Sequence, residues 1–210
     1  MSDANSPMGS GLAAADALRP GPGRPRRVGR EAVVAAALDL LQREGLAAVT
    51  MRRVAEQVNA GIATVYAAAG SKQHILLAVV DDVLTGLPHV PENADPWDAL
   101  HEVWAATHDL LMAYPAVAQL AALQPVPGQG VQRLIDVTLN LLKSAGLSED
   151  AAWTGYLTLR SYTIGFTLLK ISRGGADGYE VSEASAAPPE HHLEFGNGID
   201  VLLRGLQPEI

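Results

Sequence analysis

The chain contains no cysteine among its 210 residues, which excludes disulfide bonds and metal sites built from thiolates. It also lacks any run of roughly 18 uncharged apolar residues, the length that a membrane-spanning helix requires. The first 26 residues are rich in Ala, Pro, Gly and Ser, but they lack the continuous apolar segment of a signal peptide. We therefore expect a cytoplasmic protein with no membrane partner.

Charged residues are few and unevenly distributed. They make up 18% of the sequence, against 48% for hydrophobic residues, and the net charge is −8. Residues 1–72 carry nine Arg and Lys against six acidic residues, a net charge of +3; the remaining residues carry six against seventeen, a net charge of −11. A basic end on an acidic body indicates a polyanion-binding segment joined to a body with another role. Surface asymmetry without function is an equal alternative.

Hydrophobic periodicity predicts an all-α chain of about nine helices. Residues 1–26 have few large apolar side chains and end in RPGPGRPR, so we expect a disordered basic arm. A first helix is predicted from Arg30 to a stop at Gly45, and Thr50 is expected to cap a short second helix. The other predicted helices cover about 62–68, 72–86, 96–113, 115–123, 129–145, 149–173 and 190–205.

The second and third helices carry the residue types of a helix-turn-helix. Ala55 provides the small residue needed where the two helices cross, and Asn59 tolerates the positive φ of the turn. Apolar residues that would hold both helices against the first are Val54, Val58, Ala60 and Val65. Any short helical hairpin shows such residues at such positions. Together with the basic arm and the charge distribution, however, the pattern favours DNA binding.

The segment REAVVAAALDLLQREGLAAVTMRRVAEQVNAGIATVYAAAGSK resembles the N-terminal DNA-binding domain of the TetR family of transcriptional repressors. The resemblance covers about residues 24–85, and the rest of the chain matches only in its layout. It implies a three-helix N-terminal helix-turn-helix head plus a larger helical body. The corresponding divisions are a disordered basic arm over 1–26, a DNA-binding domain over 27–72, and a ligand-binding and dimerisation domain over 73–210.

The resemblance also implies which residues bind DNA. They are Arg26, Arg27, Thr50, Arg52, Arg53, Ile62, Ala63, Thr64, Tyr66 and Lys72. The third helix would lie in the major groove with Ile62 to Thr64 facing the bases, while Tyr66 and Lys72 would contact phosphates. The alternatives are a core position for Tyr66, a merely solvated face for the arginines, and a purely capping role for Thr50.

The chain departs from the family pattern directly after Tyr66. Members of the family usually have a histidine and a bulky apolar residue there, whereas this chain has Ala67, Ala68 and Ala69. We hypothesise that Tyr66, Lys72 and the arginines of the arm therefore carry more of the phosphate anchoring.

Polar side chains on apolar helices predict a ligand site in the body. The candidates are Trp104, His108 and Met112 on one helix face, and Tyr156, Arg160 and Thr163 on another. The resemblance implies a homodimer that binds a palindromic double-stranded DNA operator and is released by a small apolar or amphipathic effector, without a cofactor. Dimer candidates are Leu157, Ile164, Phe166, Leu168 and Leu203. Each of these residues is otherwise explained as core.

Two other functions compete with this one. The first is a small-molecule binder with a degenerate head, which the alanine run supports. The second is a helical-bundle enzyme, but the sequence lacks the Glu-x-x-His and His-Glu-x-x-His arrangements of such enzymes. His101 with His108, and His191 with His192, are not spaced as helical metal ligands are. We therefore expect neither a metal site nor an enzyme.

Overall fold

The computed structural model describes residues 28–91, 93–123, 127–174 and 194–207. These ranges contain nine α-helices and one short 3-10 turn, Leu46–Ala48. The helices are α1 Arg30–Glu44, α2 Met51–Gln57, α3 Ile62–Ala69, α4 Lys72–Thr85, α5 Pro96–Ala113, α6 Pro115–Leu123, α7 Gln129–Ser144, α8 Glu149–Gly174 and α9 Phe195–Leu206. The predicted basic arm, which includes Arg26, lies outside the described residues, as do Arg27, His191 and His192.

The N-terminal head is built on the apolar face of α1. The residues predicted to share that face are all buried: Val33, Ala36, Ala37, Leu40 and Leu41. The helices α2 and α3 pack against α1 and against each other, and α4 packs against α1 as well. The core of the head is therefore formed by α4 together with the three helices of the head.

The helix α4 belongs to the head and to the body at once. Ser71 caps its N-terminus in a capping box, in which the Ser71 side chain accepts from the backbone of His74 and the His74 ring accepts from the backbone of Ser71. The helix α4 packs on α1 in the head and on α5, α6 and α7 in the body. One hydrophobic core cluster consequently runs from Val33 in the head to Leu203 in the last helix.

The body surrounds α5. Asp95 caps this helix and Pro96 occupies its first turn, as the sequence predicts; the Asp95 side chain accepts from the backbone of Trp97 and Asp98. Leu100, Trp104 and Leu111 are buried within it, and the helix packs against α7, α8 and α9. None of the helices in the described ranges is both long and apolar enough to cross a membrane.

The all-α fold is confirmed, and the predicted helix boundaries agree with the observed ones to within a residue or two for most helices. The last helix differs: it was predicted from residue 190, whereas its described part begins at Phe195. The buried ring of Phe195 starts this helix by packing on α5 and α8 through His108 and Tyr162.

Candidate nucleic-acid interface and ligand cavity

The turn between α2 and α3 has the geometry that its residues predict. Asn59 adopts a φ of 51°, which makes it the one described non-glycine residue with positive φ. The backbone N–H of Ala60 donates to the carbonyl of Ala55 at 2.9 Å, and that of Asn59 donates to Glu56 at 3.1 Å. Ala55 is buried at the helix crossing. The helix-turn-helix is therefore formed by the residues in which its pattern was recognised.

The first turns of α3 present the predicted base-contacting residues on the surface. Ile62 is 44% exposed, and Ala63 and Thr64 are exposed beside it. Val65 is fully buried and holds the helix against the head. Tyr66 is 51% exposed, which excludes a core position for its ring. Four predicted DNA-binding residues of α3 are thus exposed to solvent.

The two arginines of α2 have different surroundings. The guanidinium of Arg53 donates to both carboxylate oxygens of Glu44, at 2.7 and 2.6 Å, and so ties α2 to the end of α1. This hydrogen bond lowers the pKa of Glu44 and raises the pKa of Arg53. Arg52 is more open, with its side chain 81% exposed and its Nε donating to Glu56 at 2.9 Å. Because the Glu56 pair is solvent-exposed and weak, it restrains the Arg52 side chain little.

Thr50 and Lys72 lie at the starts of two helices. The hydroxyl of Thr50 accepts from the backbone of Arg53 at 3.2 Å, so the predicted cap is confirmed. Lys72 is the first residue of α4 and is half-buried. Gly70, two residues earlier, has a φ of 78°, and a Cβ there would lie 2.7 Å from Nδ1 of His74. Glycine is therefore required between α3 and α4 on two grounds.

A cavity of about 440 Å³ lies in the body, between α4, α5, α6, α7 and α8. Its wall is mostly aliphatic. The lining residues are Val80, Leu84, Trp104, Thr107, Leu111, Ala121, Ala122, Leu123, Val131, Leu134, Ile135, Tyr156, Leu157, Arg160, Thr163 and Ile164. This size and character suit a small organic molecule.

The structure brings four of the six predicted ligand residues to this cavity: Trp104, Tyr156, Arg160 and Thr163. His108 and Met112 lie outside its wall, and the prediction for them needs correction. The face of α5 that meets the cavity advances by three and four residues, from Trp104 through Thr107 to Leu111. Residues that follow Trp104 at strict intervals of four, His108 and Met112, therefore point progressively away from the cavity. Thr107 was detectable in principle, as a polar residue three positions after Trp104.

His108 instead joins three helices. Its Nδ1 lies 2.9 Å from the hydroxyl of Thr167 on α8, and its ring stacks on Phe195 of α9 with centroids 4.2 Å apart. Burial lowers the pKa of His108, with Lys170 acting in the same direction and Asp109 opposing. The residue is a buried structural histidine.

The polar groups of the cavity wall are only partly satisfied. One guanidinium nitrogen of Arg160 donates to the carbonyl of Ala121 at 3.2 Å. Trp104 Nε1 and Thr163 Oγ1 are buried and have no hydrogen-bond partner among the described residues. Burial raises the pKa of the Tyr156 phenol, an effect that Arg160 opposes. The two unpaired atoms are enclosed by the side chains packed around them, and Arg160 is the charged side chain in the described wall.

An exposed stripe runs along α8 at intervals of four residues. It consists of Trp153, Leu157, Ser161, Gly165 and Leu169, which are all exposed. Of the predicted dimer residues, Leu157 lies on this stripe and Leu203 is buried in the core. The side chains of Ile164, Phe166 and Leu168 are partly buried against the same core. Because the stripe mixes large and very small residues, hydrophobicity alone does not reveal it.

Two family models match the chain. One, described as bacterial regulatory proteins, tetR family, matches residues 33–79, and the other, described as tetracyclin repressor-like, C-terminal domain, matches residues 90–196. The chain belongs to the TetR family. The first match contains the helix-turn-helix, and the second contains every described cavity residue from α5 to α8.

Two HTH-type transcriptional regulators are similar to the chain. An HTH-type transcriptional regulator of Saccharopolyspora erythraea is 24% identical over 137 residues, which are 65% of this chain and 58% of that protein. The HTH-type transcriptional repressor DrrR1 of Streptomyces coeruleorubidus is 26% identical over 149 residues, 70% of this chain and 55% of that protein. The chain thus matches little more than half the length of these relatives.

Solved TetR-type structures share the fold over nearly their whole length. Apo ActR from Streptomyces coelicolor has a TM-score of 0.77 at 25% identity, covering 86% of this chain and 95% of that one. ActR in complex with (S)-DNPA has a TM-score of 0.73 at 26% identity, covering 85% and 97%. BioQ with its DNA operator has a TM-score of 0.69 at 24% identity, covering 87% of this chain and 99% of that one. At this identity the similarity to BioQ is evidence for the fold and not for a shared role.

Proposed function

We propose that this TetR-family protein is a cytoplasmic, ligand-responsive transcriptional repressor. It binds a palindromic DNA operator as a homodimer and is released when a small molecule fills the body cavity. The observation that carries the proposal is the solvent-exposed surface of α3, formed by Ile62, Ala63, Thr64 and Tyr66, in a helix-turn-helix whose turn is formed at Asn59.

The chemistry of this surface suits a DNA duplex. An exposed isoleucine, an alanine and a threonine methyl offer apolar contacts to thymine methyl groups, and the Thr64 hydroxyl adds a hydrogen bond to a base edge. The Tyr66 hydroxyl, on the same surface, is suited to a phosphate oxygen. BioQ, which shares the fold, is known in complex with its operator.

The helix α4 connects this surface with the cavity. Val80 and Leu84 line the cavity, while Ile75 and Val79 are buried in the continuous core that includes α1. A ligand that pushes on the second half of α4 therefore changes the position of the head. ActR, which resembles this chain at 26% identity, binds (S)-DNPA, and DrrR1 is named as a repressor.

The α8 stripe supports the homodimer. Ser161 and Gly165 leave space for the close approach of a second helix, and nothing lies within 4 Å of a Cβ built on Gly165. Leu157 and Leu169 would flank that crossing with apolar contacts. A two-fold dimer then presents two copies of α3 to successive major grooves, about 34–36 Å apart.

A gel-shift assay tests DNA binding with the full chain and the DNA upstream of its own gene, at about 100 mM salt. We expect a specific shift that scrambled DNA does not compete away. Tyr66→Phe removes the phosphate-contacting hydroxyl and should weaken the shift about tenfold. Tyr114→Phe, at a half-buried tyrosine of the body, is the matched control. Absence of a specific shift would favour a ligand binder with a degenerate head.

Analytical ultracentrifugation tests the dimer. We expect Gly165→Arg to convert the dimer to a monomer, because the new side chain fills the space at the crossing. Asn140→Arg places the same charge on an exposed position of α7 and should leave the dimer intact. A dimer that persists in Gly165→Arg would show that α8 does not form the interface through this stripe.

A further inference from the structure

The helix α3 carries a narrow range of side-chain chemistry. Its eight residues, IATVYAAA, include no charged residue and no asparagine, glutamine or histidine. Arginine, lysine, asparagine and glutamine identify a purine in the major groove through paired hydrogen bonds, and acidic residues accept from cytosine. The helix therefore lacks the side chains on which hydrogen-bonded recognition of bases usually depends.

The exposed surface of α3 is made largely of methyl groups. Ile62 is 44% exposed, and Ala63, Thr64 and Ala67 are exposed as well. Ala63 and Ala67 stand two positions before and two positions after the buried Val65, so both point away from the core of the head. Each of the four exposed side chains ends in at least one methyl group.

Two hydroxyl groups complete the exposed chemistry of this helix. The hydroxyl groups of Thr64 and Tyr66 can each donate and accept, so neither selects one base edge over another. The Tyr66 hydroxyl is suited to a phosphate oxygen, which carries no sequence information. The C5 methyl group of thymine is the feature of a base pair in the major groove that an apolar side chain recognises.

A guanidinium is available to the helix-turn-helix from α2. The side chain of Arg52 is 81% exposed and pairs with Glu56, whereas Arg53 is held by both carboxylate oxygens of Glu44. The first helix of such a motif crosses the DNA backbone, and the second enters the groove. This placement suits Arg52 to a phosphate. A guanine contact from Arg52 is the alternative that an experiment must exclude.

We propose that this protein identifies its operator through the C5 methyl groups of thymines, which Ile62, Ala63 and Thr64 contact in the major groove. The inference rests on the proposed function and specifies what α3 recognises within the operator. These three residues form the first turn of α3, the part of a recognition helix that contacts base edges. Burial of one methyl group is worth about fourfold in affinity. Because recognition depends on the methyl group, 5-methylcytosine should replace thymine at a contacted position.

Base analogues test the inference with the full chain. Footprinting first locates the protected region in the DNA upstream of the gene, and deoxyuridine, which lacks only the C5 methyl group, then replaces its thymines. Fluorescence anisotropy at about 100 mM salt should show a dissociation constant that rises about fourfold for each contacted thymine. Deoxyuridine outside the protected region is the control and should have no effect. Substitution of guanine by 7-deazaguanine, which lacks the N7 acceptor, should change the dissociation constant less than twofold.

A second set of operators adds the methyl group back. Cytosine in place of a contacted thymine, with guanine opposite, should weaken binding at least as much as deoxyuridine does. Addition of a methyl group at C5 of that cytosine should recover about fourfold in affinity. A cytosine outside the protected region that is methylated in the same way should leave the dissociation constant unchanged.

Variants that lose a single methyl group assign the contacts to residues. Thr64→Ser keeps the hydroxyl group, so it should weaken binding to the thymine operator about fourfold and to the deoxyuridine operator much less. Ile62→Val should behave in the same way. Thr85→Ser, at an exposed threonine that ends α4, is the matched control and should change neither dissociation constant. The thermal unfolding of each variant shows whether it is folded.

The outcomes separate this inference from the proposed function. A specific complex that tolerates deoxyuridine at every protected thymine would overturn methyl recognition and leave the regulator intact. A complex that 7-deazaguanine weakens more than deoxyuridine does would also overturn it, in favour of a guanine contact from Arg52. Full sensitivity to deoxyuridine in both Thr64→Ser and Ile62→Val would contradict the proposed contacts. A chain that forms no specific complex with unmodified DNA would contradict the regulator as well.

Discussion

The carboxylate of Asp81 on α4 accepts a hydrogen bond from the backbone N–H of Gly130 on α7, at 2.8 Å. The same carboxylate accepts from Gln129 at 3.1 Å and from Val131 at 3.2 Å, so one side chain caps the start of another helix. A Cβ on Gly130 would lie 2.4 Å from the carbonyl oxygen of Asp81, which shows how closely α4 and α7 approach. Both helices line the cavity next to this contact, through Val80 and Val131.

Removal of this cap should destabilise the protein. In Asp81→Ala three N–H groups at the start of α7 lose their acceptor, and the favourable charge near the helix N-terminus disappears. We expect the free energy of unfolding in urea to fall by about 1–2 kcal/mol. Asp82→Ala removes an exposed carboxylate from the neighbouring position and should change it by less than about 0.5 kcal/mol. Equal effects of the two substitutions would contradict the capping role.

The turn residue Asn59 should tolerate glycine but not alanine. Its φ of 51° lies in the left-handed region, where a Cβ without a local hydrogen-bonding group is unfavourable. Asn59→Ala should lower the free energy of unfolding by about 1 kcal/mol, whereas Asn59→Gly should leave it nearly unchanged. Asn140→Ala, at an exposed position of α7, is the control and should be neutral or slightly stabilising. If Asn59→Ala left the free energy of unfolding unchanged, the turn would not be strained.

The arginines of the first 27 residues should dominate the salt dependence of operator binding. Residues 28–72 carry five Arg and Lys against four acidic residues, a net charge of +1. Arg43, Arg52 and Arg53 also pair with acids of the head. Deletion of residues 1–27 should therefore flatten the log–log salt slope by about 0.9 for each lost phosphate contact. Replacing the four arginines of residues 1–27 with glutamine in the full chain should do the same, and an unchanged slope would exclude these arginines from binding.

Acidification should destabilise the protein partly through His108. Burial lowers the pKa of this residue in the folded state. As the pH falls through about 6.5, the unfolded chain binds a proton that the folded chain does not, so stability decreases. The stability that depends on His108 remaining neutral is fully present above that pH. His108→Gln should show a smaller loss between about pH 7.5 and pH 5.5 in urea unfolding, whereas His89→Gln, at an exposed histidine, should keep the loss of the parent chain.

Local signals account for what could be predicted from the sequence. The cap at Asp95, the turn at Asn59 and the small Ala55 each act within a few residues, so their residue types report the structure directly. The exposure of Tyr66 was expected from the resemblance, and periodicity alone left it open. All of these features lie at helix ends or in the head.

What could not be predicted depends on contacts between distant segments. Asp81 looks like an ordinary acid on the polar face of α4, and only the fold brings it to α7, 48 to 50 residues away. His108 was assigned to a cavity because it is polar on an apolar helix, yet its partner Thr167 is 59 residues away. Periodicity identifies a buried face, but it does not tell which neighbour that face meets.

The continuity of α4 through head and body bears on how this protein can be divided. The division predicted at residue 72 falls where α4 begins, and the core on both sides of it is one cluster. A fragment that ends there would expose the surface of α1 against which α4 packs, at a large cost in buried apolar area. Unfolding of head and body should therefore be a single cooperative transition. In any chimaera between relatives, the unit that can be exchanged is the head together with α4.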